Sequence, residues 1–324
     1  MQSSQPTKTV SPLHQVLRTV RNKLGRAKWD YPNTYTGPRP IRIAQREKLH
    51  SVAFPRTVAP TDSMWLDLPL DTVKADDRYQ RMTDAERVAV DHYHREGWSR
   101  VDGLFEPGEL DRVFRCYQTA RDGGAILEGT MQRRHLNPQR YVPEINELFA
   151  DRRLLHWVDL FMGRPSVPFQ TIVGEWGTAQ EIHTDAIHQT TFPLGFHVSA
   201  WLACEDIALE AGPLFFYPRS HRLPYVLAAD CGITDSLGDT GEQYRDKYIP
   251  HIERVVAQHD LAREVFLARK GDVLIWHHNL LHGGSSILDP ALTRRAMALF
   301  FYGQGALHYH DLSGDRAAFE RAHP

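Results

Sequence analysis

From about residue 166 onward the chain is a succession of short apolar runs closed by Gly, Pro or Asp, and no amphipathic helical stretch alternates with them. The runs fall at 168–175, 180–185, 195–204, 213–217, 264–268, 272–278 and 294–302. Strands this short, joined by turn residues, are not wired in parallel, because a parallel connection needs a crossover of roughly a dozen residues or more. The reading is therefore mainly β with flanking helices, an antiparallel sandwich or jelly roll.

The helices come first. Thr83 followed by Glu86 makes a capping-box pattern ahead of Val88 and Tyr93, and Gly97 ends the element. Trp98–Val101 reads as a short strand, Gly103 and Pro107-Gly108 as turns, and the stripe Leu110, Val113, Phe114, Tyr117 as a second helix. A third helix is expected over 143–162. Residues 81–310 read as one domain, interrupted at 221–262 by a polar and charged insertion placed to act as a lid, with 311–324 as a C-terminal tail.

Residues 1–80 read as an arm. Ten Lys/Arg against two Asp/Glu fall within 1–48, and six prolines from Pro32 to Pro69 favour extended chain. The basic opening with Leu13, Val16, Leu17, Val20 and Leu24 suits a membrane-surface helix, a transit segment, or an arm lying on its own domain or on a partner subunit. A net charge of −2 excludes a general attraction to nucleic acid. No apolar run approaches the ~20 residues that span a bilayer. Cys116, Cys204 and Cys231 show no C-x-x-C spacing, so neither a disulfide framework nor a thiolate zinc site is indicated, and a cytoplasmic location is expected.

Chemistry enters at Gln180-Glu181-Ile182-His183-Thr184-Asp185. A histidine and an aspartate two apart on extended chain point to the same face. Two imidazoles and one carboxylate on one face of an iron(II) ion leave the opposite face free for a keto-acid and O₂, so a second histidine is required. The stretch Gly271 to Gly284 supplies one: read as a strand ending at His282, its alternation puts His282 on the face of Leu274, Trp276 and His278 if no bulge intervenes. The two glycines after His282 suit close approach to a ligand. His188, His277 and His278 read as packing or surface histidines. Twelve residues past His282, Arg294 opens an apolar strand and can grip a carboxylate with two parallel hydrogen bonds, Arg295 being the alternative should the register slip by one.

These pieces together resemble the phytanoyl-CoA dioxygenase family of 2-oxoglutarate oxygenases across roughly 88–302. The matching segments are Gly97 to Phe105, Gln180 to Asp185, Trp201 to Asp206, Gly212-Pro213-Leu214 with Pro218 to His221, and Leu281-His282-Gly283 through Arg294. The resemblance implies a double-stranded β-helix (a cupin-like jelly roll), Fe(II) on His183, Asp185 and His282, 2-oxoglutarate on Arg294 and O₂ as the oxidant. It also implies Trp201 beside the co-substrate and Gln180 at the site. Two positions depart from the family pattern: Arg219 stands where glycine is usual, and Gly284 where a hydroxyl residue is usual, with Ser285 near enough to substitute. Because related halogenases replace the metal-binding aspartate with Ala or Gly, Asp185 favours hydroxylation of a small-molecule substrate. The competing readings are a non-catalytic jelly roll that binds a metal or ligand as a regulator or scaffold, and a zinc hydrolase, which leaves Arg294 unexplained.

Overall fold

The computed structural model describes residues 34–35, 41–42, 49–56, 63–126, 130–131, 134–234 and 240–314. The apolar positions 13–24 and the tail beyond 314 lie outside them. Asn33–Pro324 form one compact unit, so the second half of the arm belongs to the domain, and Met64, Trp65, Leu66, Val73 and Tyr79 are buried in its core.

Local chemistry sets the helices. In α1 (Asp84–Glu96) the Thr83 hydroxyl accepts from the Glu86 amide, the Glu86 carboxylate accepts from the Thr83 amide at 2.7 Å, and Gly97 closes the helix at φ +83°. Pro107 opens α2 (Pro107–Asp122), which buries Leu110, Val113, Phe114 and Tyr117. The third expected helix is two, α3 (Pro143–Phe149) and α4 (Arg152–Met162), because the Asp151 carboxylate accepts from the Arg153 amide and starts a new N-terminus there.

The strands, numbered from residue 98, are β1 (Trp98–Val101), β2 (Thr130–Met131), β3 (Arg134–Leu136), β4 (Ser166–Gly174), β5 (Thr190–Phe192), β6 (His197–Ala203), β7 (Leu214–Phe216), β8 (Glu264–Val265), β9 (Val273–His277), β10 (His282–Gly284), β11 (Ala296–Gly303) and β12 (Leu307–Tyr309). All pair antiparallel, in a major sheet β1-β9-β6-β11-β4-β3-β2, a minor sheet β8-β7-β10 and a ribbon β12-β5. This is the jelly-roll core. Alternation divides the major sheet: Val198, Ala200, Leu202, Ile275 and Leu299 pack with the helices, where Tyr93 stacks on Phe161 at 4.4 Å. Trp201, Ala203, Leu274, Trp276 and Ala296 face the other way, packing with Leu214 and Phe216 of the minor sheet. Both faces are covered, which is why these strands read as unbroken apolar runs.

Three expectations change. The run 180–185 forms no strand; it is tied to the minor sheet by a bridge in which the amides of His183 and His282 each donate to the other's carbonyl at 2.9 Å, and by the Gly284 amide donating to the Gln180 carbonyl at 2.9 Å. The run toward His282 is not continuous either. β9 ends at His277, the Leu280 amide donates back to the His277 carbonyl at 2.8 Å, and the chain crosses to the minor sheet as β10. The stretch 221–262 holds a π-helical turn, Tyr244–Tyr248, running into α5 (Ile249–Gln258). Its Tyr248, Ile249 and Ile252 are buried with Ile187, Leu281 and Leu312. Among the described residues no helix is long and apolar enough to cross a membrane, and all three cysteines are free.

Candidate active site

His183 and His282 face each other because the bridge between them fixes both backbones; their rings lie 4.4 Å apart. Each Nδ1 lies within hydrogen-bond reach of a backbone carbonyl, Glu181 at 2.8 Å and Leu280 at 2.9 Å. A carbonyl only accepts, so Nδ1 carries the proton in both rings and each Nε2 keeps its lone pair. Thr184 is extended (φ −107°, ψ 152°), which brings Asp185 to the same side as His183. Its Oδ2 accepts from the Ser199 hydroxyl at 2.6 Å and from Trp276 Nε1 at 2.9 Å, leaving Oδ1 directed at His282 Nε2, 3.6 Å away. The three donor atoms lie within 4.8 Å of one another, and all three residues are buried.

Burial pushes both imidazoles down, to about 4, so they are neutral and able to coordinate; for His183 the neighbouring His282 adds to the effect. The same burial pushes the Asp185 carboxyl up, against its bonds from Ser199 and Trp276. A cation at the focus of the three groups would restore the carboxylate. Two neutral nitrogens and one carboxylate oxygen fit Fe(II).

The site opens into a cavity of about 560 Å³. Arg294 reaches it from the residue pair preceding β11 and is only 7 % exposed. One Nη1–H donates to the Gly212 carbonyl at 3.0 Å, Nε has no partner, and the guanidinium lies 5.7 Å from the Trp201 ring. No carboxylate lies within ion-pair distance of it among the described residues. Burial, with the Arg134 charge adding, lowers its pKa to about 10, which leaves it protonated at neutral pH. A buried guanidinium with an idle donor is a cradle for a carboxylate. Arg295 points to the opposite face, toward Glu175 and Glu205 at 3.7 and 3.8 Å.

Trp201 and Gln180 line the cavity as well, and the Gln180 amide nitrogen stands 3.2 Å from His183 Nε2. Ser285 does not line it; its hydroxyl accepts from Arg263 at 3.2 Å. The two glycines line the cavity too, and they make way for neighbouring chain as well. A Cβ on Gly284 would lie 2.9 Å from the Gln180 nitrogen, and one on Gly283 would lie 2.8 Å from the Gln180 oxygen, so they admit the 178–180 segment. Arg219 holds the left-handed conformation, φ +68°, that glycine adopts more cheaply. Of the discounted histidines, His188 lines the cavity, whereas His277 bonds Asp67 and His278 bonds the Gln189 carbonyl.

Sequence reading missed four residues here. Ser199 was findable, since it shares its strand face with Trp201. Arg134, Tyr244 and Tyr248 carry no pattern that marks them. Tyr244 lines the cavity and stacks on Tyr248 at 5.1 Å, and the Tyr248 oxygen accepts from the amide of Thr184, the residue between two of the clustered donors.

With this geometry in hand, comparison with known proteins is decisive at the level of family. The profile of the phytanoyl-CoA dioxygenase (PhyH) family matches residues 88–296. The chain belongs to that family. Phytanoyl-CoA dioxygenases are non-haem iron oxygenases that use 2-oxoglutarate and O₂, and the His183, Asp185, His282 cluster is positioned for the metal. No curated protein sequence matches the chain. Among solved structures, EctD of S. alaskensis in its apo form superposes with TM-score 0.56 at 16% identity, covering 75% of this chain and 85% of that one. SnoN, the non-haem α-ketoglutarate-dependent epimerase of nogalamycin biosynthesis, gives 0.54 at 18%, covering 68% and 84%. The carbocyclase SnoK gives 0.53 at 14%, covering 69% and 85%. At these identities the likeness extends to the fold.

Proposed function

We propose that this phytanoyl-CoA dioxygenase family member hydroxylates a small molecule, with His183, Asp185 and His282 holding Fe(II) and Arg294 holding the distal carboxylate of 2-oxoglutarate. The observation that carries the proposal is the pairing, within one cavity, of the two-histidine, one-carboxylate cluster with a buried guanidinium that has no acid partner among the described residues. When bound, iron with 2-oxoglutarate and O₂ supplies the oxidising chemistry, giving succinate, CO₂ and an oxidised substrate.

The protein's part is placement. The carbonyls of Glu181 and Leu280 keep each Nε2 free of a proton, and Ser199 and Trp276 hold Asp185 to one coordinating oxygen. Trp201 walls the co-substrate beside Arg294, and Gln180 directs an amide N–H to the metal's neighbourhood. Asp185 fills the position that a halide would need, which favours hydroxylation. We assign the segment carrying Tyr244 and Tyr248 the role of a cover that tightens over bound ligands, so amide exchange across 240–258 slows when Fe(II) and 2-oxoglutarate are added. Three free cysteines suit a reducing, cytoplasmic setting.

The direct test is anaerobic addition of 2-oxoglutarate to the Fe(II)-loaded protein, followed by a screen of metabolite pools for O₂-dependent succinate release. The expected result is the weak visible charge-transfer band of a chelated keto-acid, then succinate formation stimulated by one class of compound. Bound iron without that band points to a non-catalytic metal-binding barrel.

A further inference from the structure

Resting on that reading of the metal cluster, we propose that Tyr248 is a positioning residue: its hydroxyl, by holding Thr184, fixes the spacing of His183 and Asp185, and its ring ties that spacing to the cavity wall at Tyr244. His183 exchanges both of its backbone hydrogen bonds with His282, which takes up one edge of the segment. On extended chain the next amide, that of Thr184, points to the other edge. Thr184 is only 3 % exposed, so this amide must find its acceptor inside the protein, and it finds the Tyr248 oxygen at 3.1 Å. The hydroxyls of Thr184 and Tyr248 lie 3.2 Å apart as well. A side chain does here what a neighbouring strand would do.

The surroundings make this contact a firm one. Alternation turns His183 and Asp185 into the cavity and Ile182 and Thr184 away from it, toward the apolar cluster in which Tyr248, Ile249 and Ile252 pack with Ile187 and Leu281. Leu281 precedes His282, so one cluster backs both ligand-bearing segments. Beyond Thr184 the chain is pinned again, by the amides of His188 and Gln189, which donate to the Asp185 carbonyl at 2.9 and 2.7 Å. Thr184 is the link between two fixed points. Rotation of its peptide would carry the His183 and Asp185 donors apart, and the Tyr248 hydroxyl opposes that rotation.

The same phenol reaches the cavity through its ring. Tyr244 stacks on Tyr248 with ring centroids 5.1 Å apart and planes 17° apart, and it also meets the His188 ring at 5.1 Å. Tyr244 and His188 both line the cavity, and the His188 ring lies 5.7 Å from that of His183. A ligand that leans on Tyr244 therefore presses on Tyr248, and through its hydroxyl on Thr184. The cover segment gains a second task, which is to hold the metal donors in register.

Tyr248→Phe keeps the ring and deletes the hydroxyl, so it separates positioning from packing. The probe is Co(II) added to the metal-free protein, with affinity read by competition against a coloured chelator and ligand geometry by low-temperature EPR; neither measurement needs 2-oxoglutarate or turnover. Ile252→Val is the control, since it thins the same apolar cluster and leaves the Thr184 bonds alone. Both variants should lower the thermal midpoint, each by on the order of 3 °C. Tyr248→Phe alone should weaken Co(II) binding about tenfold, the low end of what losing an outer hydrogen bond does to metal affinity, and change the EPR line shape. Ile252→Val should stay within about threefold of wild type with the line shape kept. Because coupling between two sites is reciprocal, Co(II) should slow amide exchange across 240–248 in wild type, and Tyr248→Phe should lose that slowing. The proposal is overturned by Co(II) affinity within about threefold of wild type or an unaltered line shape in Tyr248→Phe, by equal losses of affinity in the two variants, by slowing that survives the substitution, or by no slowing in wild type. Wild-type Co(II) binding that is unaffected by His183→Ala refutes the metal-site reading itself, and the proposal with it.

Discussion

Replacing Arg294 by glutamine removes the charge that distinguishes this cavity from an ordinary metal-binding barrel. The guanidinium is buried, spends Nη1 on the Gly212 carbonyl, and has its Nε–H idle. Nε–H with the adjacent Nη–H forms the planar fork that grips both oxygens of a carboxylate. Hydrogen bonds to a charged partner contribute about 1.5–3 kcal/mol each, and a glutamine amide replaces at most one of the two without its charge. The net loss is therefore about 3 kcal/mol, roughly 150-fold in the 2-oxoglutarate dissociation constant. Anaerobic titration of the Fe(II) protein, with the charge-transfer band as signal, measures it directly, and iron affinity measured separately should hold. Arg295→Gln is the control: that side chain is 39% exposed beside Glu175 and Glu205, and its loss should change 2-oxoglutarate binding by less than about 0.5 kcal/mol. A change of under about threefold for Arg294→Gln refutes the assignment. Reversed effects in the two variants place the co-substrate on the other face.

Gly284→Ala should lower stability by about 1–3 kcal/mol, since its Cβ would meet the backbone nitrogens of Gln180 and Ala179 at 2.9 and 3.1 Å; an unchanged thermal midpoint would show that this segment yields freely. Stability should also fall in mild acid. His197, His278 and His308 are buried and held neutral, His278 down to about 3, whereas the unfolded chain takes up protons near pH 6.5. Folded values depressed below the unfolded ones mean that this stability is full above about pH 6.5 and drains as pH falls toward the folded values. Between pH 7.5 and 5.5 the loss is on the order of 1 kcal/mol per histidine, a few kcal/mol in all, read as a lower urea midpoint. A midpoint flat across that range contradicts the buried neutral state.

How far each feature was legible follows from the range of the interaction that creates it. Both ends of α1 could be read because Thr83, Glu86 and Gly97 act within one turn. The runs at 195–204 and 294–302 could be read because burial on both faces leaves a continuous apolar signature. The break after His277 could not: there the Asn279 side-chain amide donates to the carbonyls of His221 and Leu223, contacts 58 and 56 residues distant that no local pattern announces. His282 was singled out even so, by the two glycines after it and the resemblance of Leu281-His282-Gly283, although the strand joining Trp276 to His282 in the alternation argument does not exist. Arg134 lies on a three-residue strand, too short for any periodicity to mark its inward face.

The bridge between His183 and His282 divides the cluster into two kinds of construction. Two imidazoles are registered by main-chain bonds that any side chains at those positions would share, and each ring is then aimed by a carbonyl of its own segment. The carboxylate is aimed only by side chains, Ser199 and Trp276. Exchanging residue 185 therefore leaves both histidines in place, whereas a shift of either segment by one residue dismantles the pair. On such a frame a lineage can change what occupies the third coordination position, and with it the reaction, by point substitution, while the two-nitrogen half persists as long as the fold does.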